Sequence, residues 1–131
     1  MGYRWVAHTA ELELHIDAAT EEAVFEDALH ALGEVLDDGP DRGPAAHRVE
    51  VSAPDRAALL ARWMEELGYL AETEDLVPER MTRLELGPAG LHATVEGHRG
   101  EPRHLVKGVT YHRLAFERGG QGYEATVVLD V

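Results

Sequence analysis

The sequence predicts an α+β domain in two layers, a largely antiparallel β-sheet with two amphipathic helices packed on one face. Three observations predict it. Two stretches carry apolar residues at helical spacing, several short runs alternate strictly, and Gly, Pro and Asp clusters punctuate the gaps. At 131 residues the chain is one domain's worth, so residues 1–131 read as a single domain. With 44% hydrophobic and 28% charged residues the composition is ordinary for a globular chain, enough for a core without staples.

The first strand candidate is Tyr3 to Val6, joined through His8-Thr9-Ala10 to a cleaner one from Glu11 to Asp17. There Leu12, Leu14 and Ile16 alternate with Glu11, Glu13, His15 and Asp17, which is a strand with one wet face. Thr20 caps a helix whose first turn holds Glu21 and Glu22, matching the helix dipole. Val24, Ala28, Leu32 and Val35/Leu36 form its buried face, and Asp37-Asp38-Gly39-Pro40 stops it, with a loop to about Ala46. Val49 and Val51 mark a short strand. Ser52-Ala53-Pro54-Asp55 has the spacing of a capping box with Asp in place of Glu. The helix behind it buries Leu59, Leu60, Trp63, Met64, Leu67 and Leu70 and ends near Thr73. Its Met-plus-Trp stripe is core packing.

The remainder is β-like. Met81, Leu84 and Leu86 lead into the turn Gly87-Pro88-Ala89-Gly90, and Leu91, Ala93 and Val95 alternate after it. Gly97 to Arg103 is rich enough in Gly and Pro to read as a polar loop. From His104 to Glu117 runs a long strand whose alternation slips phase, which a bulge at Gly108 would explain. Gly119-Gly120-Gln121-Gly122 is a hairpin turn, and Tyr123, Ala125, Val127 and Leu129 complete the sheet.

Charge narrows the function. The net charge of −13 repels a polyanion, so direct nucleic-acid binding is not expected, whereas a basic protein partner or a hard cation is suited. The absence of cysteine excludes disulfide frameworks, zinc ribbons and thiol nucleophiles. No apolar run reaches the ~18–20 residues of a membrane span and Met1-Gly2-Tyr3-Arg4-Trp5 is no signal peptide, so a soluble, cytoplasmic protein is expected. All basic residues but Lys107 are arginine, which singles that lysine out.

Three segments concentrate chemistry. Leu129-Asp130-Val131 ends inside an alternating strand, which sets the Asp130 carboxylate beside the terminal carboxylate of Val131. Two such oxygen anions form half of a hard-cation site, or else are simply solvated. His8-Thr9-Ala10-Glu11 lies where one strand passes into the next, a usual place for site residues. Lys107-Gly108-Val109-Thr110-Tyr111-His112 combines a lysine, a hydroxyl and an imidazole around an irregular strand. Each also has a bland reading, as a wet strand face or an edge distortion.

Together the three resemble the archease family. His8-Thr9-Ala10-Glu11 is similar to its His-Thr-Ala-Asp signature, Lys107 to His112 to its Lys-Ala-Val/Ile-Thr-Tyr-His segment, and Leu129-Asp130-Val131 to its carboxyl end. Order, intervening helices and length agree, so the resemblance spans essentially the whole chain. It implies a small α+β accessory protein, not itself an enzyme, for the GTP-dependent RNA ligase of the RtcB type. That ligase joins 3′-phosphate or 2′,3′-cyclic phosphate ends to 5′-hydroxyl ends in tRNA splicing and RNA repair. The accessory protein promotes guanylylation of the ligase's histidine and multiple turnover. The resemblance further implies a divalent-metal site at Glu11, Asp130 and Val131, for calcium, manganese or magnesium, with Lys107, His8 and His112 as functional neighbours. The chain departs from the pattern in two places. Glu11 replaces Asp, moving the carboxylate ~1–1.5 Å against the ~0.2 Å tolerance of a metal bond, and the segment from Gly97 to His104 is shorter than the family's acidic Pro-containing loop.

Rival readings remain at this point. A metal-dependent hydrolase would pair Glu11 or Asp130 with His8 or His112, but no nucleophile or phosphate-cradling glycine loop accompanies them. A generic folding helper (chaperone) or interaction module would need no site at all. Direct RNA binding would rest on Arg99, Arg103, His104 and Lys107.

Overall fold

A computed structural model describes residues 2–103 and 106–131. The elements run β1 (Gly2–His8), β2 (Glu11–Ala18), α1 (Glu21–Leu36), β3 (Pro44–Ser52), α2 (Arg56–Glu74), β4 (Leu76–Leu86), β5 (Gly90–Arg99), β6 (Gly108–Gly119) and β7 (Gly122–Asp130). The α+β class stands and every strand pairing is antiparallel. Instead of one sheet there are two, ordered β1-β2-β7-β6 and β3-β5-β4. The helices touch both: α1 lies against β2, β1 and β7 of the first and β4 of the second, α2 against β6 and β7 and against β3, β4 and β5. The core fills the space between, with Leu14, Val127, Phe25, Leu29, Leu59, Trp63 and Leu91 fully enclosed. Each such side chain contributes about 1.5–3 kcal/mol of burial. Trp63 Nε1 donates to Phe25 O at 3.0 Å, which satisfies the buried indole and ties α2 to α1.

The helix boundaries follow local chemistry. Thr20 caps α1 by accepting from Ala23 N. For α2 the cap is Asp55, which accepts from Ala58 N, and not Ser52. The expected capping box is therefore displaced by three residues, Asp55 being the cap itself and not its distal partner. A left-handed Asp75 (φ 55°) closes α2, its N–H returning to Leu70 O.

Four strand expectations are corrected. β3 starts at Pro44, well before Val49, because its whole length pairs with β5 from Pro44↔His98 to Ser52↔Gly90. β4 starts at Leu76 and carries register shifts between Pro78 and Arg80 and between Thr82 and Glu85. Gly97 and His98 lie within β5, not in a loop. Gly97 is there because a Cβ would overlap the Val77 carbonyl oxygen, so the glycine permits close strand approach and does not break the strand. Finally, β6 begins at Gly108 with regular pairing to Asp130, and the bulge lies later, between Thr110 and Ala115. His104 and Leu105, assigned from sequence to that strand, lie outside the described residues.

Candidate functional site

The first hairpin sets the geometry. Strict alternation in β2 fixes its register on β1, so His8 stands opposite Glu11 across the two-residue turn Thr9-Ala10, with Ala10 at φ 63°. On the other side of β2, β7 runs antiparallel with Glu11 opposite Asp130. Val131 N donates to Ala10 O at 3.0 Å, and Lys107 N donates to Asp130 O at 2.7 Å. The β1–β2 turn, the end of β7 and the Lys107 segment therefore meet at one corner of the first sheet.

Cross-strand partners share a face, so the Glu11 and Asp130 carboxylates project to the same side. Asp130 and Lys107 are exposed, Val131 is half-buried, and the Glu11 side chain is 29% exposed. Two like charges opposite one another are unfavourable, and the arrangement attracts a cation. One is already present: Arg113 Nη2 lies 3.3 Å from Glu11 Oε1. Beside Lys107 a cleft of about 300 Å³ opens, lined also by Leu36, Gly68, Ala71, Glu72, Arg103 and Val106.

Of the six residues expected, the fold brings Glu11, Asp130 and Val131 together with the Lys107 backbone. His8 is adjacent, but its Nε2 turns to Glu13 Oε1 at 3.3 Å. His112 is exposed in the β6 bulge, its N–H on Thr110 Oγ1 at 3.2 Å, and makes no contact with the acidic pair. Sequence reasoning passed over Glu13, His15 and Arg113. Glu13 is a hub, held by His15 Nε2 at 2.6 Å, by Arg113 Nη2 at 3.2 Å and by His8. Burial alone would raise its carboxyl pKa, but the hydrogen bond from His15 and the charges of Arg113, His15 and His8 bring it below the usual range. The available signal was the wet-face alternation, which puts Glu11, Glu13 and His15 in one row.

Among the described residues no three His, Asp or Glu side chains stand close enough to hold a metal. A metal here needs the Glu11 and Asp130 side chains with main-chain oxygens and, where Val131 ends the chain, its carboxylate. That donor set is all hard oxygen, and it already holds a cationic group on Glu11, so it fits calcium, magnesium or manganese in kind. No helix among the described residues is long and apolar enough to cross a membrane.

Fold and site define a small α+β protein whose β1–β2 hairpin and last strand meet at an acidic corner flanked by a lysine. The sequence matches the Archease protein family (MTH1598/TM1083) over residues 3–131, and the chain belongs to that family. It is 32% identical to a protein archease of Methanosarcina acetivorans, covering 98% of this chain and 95% of the relative. The solution structure of Methanobacterium thermoautotrophicum protein 1598 superposes with a TM-score of 0.73 at 28% identity, over 99% of both chains. A Thermotoga maritima structure described as an archease, possible chaperone, shares the fold at a TM-score of 0.69 and 21% identity, over 96% of this chain and 94% of that one.

Proposed function

We propose that this chain is an accessory protein for a GTP-dependent RtcB-type RNA ligase, promoting guanylylation of the ligase histidine and repeated turnover in tRNA splicing and RNA repair. The reading is supported by family membership and by one observation above all, the ladder that sets Glu11 opposite Asp130 with Lys107 bonded alongside. Glu11, Asp130 and, where Val131 ends the chain, its carboxylate would hold a divalent ion. When bound, such an ion supplies positive charge that stabilises phosphate oxygens. Lys107 is exposed at the same corner and can present its ammonium to a nucleotide phosphate in the ligase. The excess of acidic groups favours a basic protein surface as partner and disfavours free RNA.

A multiple-turnover ligation assay with an RtcB-type ligase from the same source tests this. Adding the wild-type chain should convert the ligase from about one product per enzyme to many, Lys107→Ala should lose most of that stimulation, and Lys107→Arg should retain part of it. No stimulation by the wild type would contradict the reading.

A further inference from the structure

Arg113 sits at φ 61°, a left-handed conformation in which a long side chain is uncommon. It lies where β6 leaves its ladder with β7, between Thr110 and Ala115. Because β7 separates β6 from β2, the side chain must cross β7 to reach its partners. On that face β7 presents Val128, which is fully buried although its ladder neighbours are Glu13 and Thr110 of the outer face. At the far end one nitrogen, Nη2, serves two carboxylates, 3.3 Å from Glu11 and 3.2 Å from Glu13. Glu13 has histidine partners besides, whereas Arg113 is the one cationic partner of Glu11 among the described residues.

A backbone conformation of this kind persists only where its surroundings enforce it, and here its consequence is to hold a guanidinium on the carboxylate that faces Asp130. We propose that Arg113 is a resident counter-cation that competes with a divalent ion for Glu11, and so sets how tightly the corner binds metal. This rests on the metal-holding role proposed for Glu11 and Asp130. A guanidinium and a doubly charged ion repel one another, and the oxygen atoms that one occupies are closed to the other. Glu11, longer by one methylene than aspartate, has the reach to meet the arginine. Once displaced, Arg113 keeps Glu13 as a partner, so exchange does not strand a charge.

Calcium titration by calorimetry, with wild type, Arg113→Gly and Arg113→Lys, tests the competition. Glycine takes φ 61° without strain, so Arg113→Gly keeps the bulge while removing the charge. It should bind calcium about tenfold more tightly than wild type, as expected for removal of one nearby positive charge. Arg113→Lys, which keeps a charge, should stay close to wild type. Equal affinity in wild type and Arg113→Gly would overturn the competition and leave the acidic pair as a metal site. Weaker binding in Arg113→Gly would make the arginine a support and overturn the proposal as well. No binding in any of the three would overturn the metal reading and the competition together.

Discussion

His98 illustrates how a single side chain couples the fold to pH. It is 8% exposed, with Glu79 hydrogen-bonded to Nδ1 and Asp37 3.5 Å from Nε2. The bond to Glu79 raises its pKa, burial opposes the rise, and the charges of Asp41, Glu79 and Asp37 add to it. A histidine whose folded pKa exceeds its unfolded value near 6.5 adds stability below that value and loses it as pH climbs through the folded pKa. His98→Gln should therefore lower Tm most at about pH 5.5–6 and progressively less toward about pH 8.5, read by thermal denaturation at several pH values. Glu13 works in the opposite sense, its depressed pKa contributing stability that disappears as pH falls through the folded value. The His98 partnership was not legible in the sequence, whereas the wet-face alternation already put Glu13 and His15 in one row. Gly97-His98-Arg99-Gly100 has the composition of a loop, and the requirement for glycine comes from the Val77 carbonyl on another strand.

At the level of elements, local signals decided some boundaries and misled at others. Thr20, the acidic first turn and the apolar spacing place α1 because they are neighbours in sequence. The second cap was misplaced because Ser52 and Asp55 both have capping side chains, and only the chain path selects Asp55. Asp55→Ala should therefore cost about 1 kcal/mol in chemical denaturation while Ser52→Ala leaves stability nearly unchanged. The phase slip in β6 was visible in the alternation, but glycine was the wrong suspect. The distortion includes Arg113, a left-handed residue whose side chain reaches carboxylates on β2, two strands away. Such tertiary override is invisible to propensity.

For the whole molecule, the α+β class was readable from periodicity, whereas the division into two sheets was not, since alternation specifies a wet face and not a neighbour. The same holds for the site. Glu11, Asp130, Val131 and Lys107 could each be picked out as chemistry, yet their meeting depends on β7 lying between β2 and β6, a property of topology. The resemblance to a family supplied that convergence in advance, and the ladder carries it out through Glu11↔Asp130 and the bonds of Val131 and Lys107. The proposed role depends on a divalent cation held at this corner of the first sheet. Calcium titration of wild type beside Asp130→Asn, which removes one charge and preserves shape, tests it most directly. A single saturable site in the wild type, weakened at least about tenfold in Asp130→Asn, is the predicted result. Unchanged binding in Asp130→Asn, or none in the wild type, would contradict it.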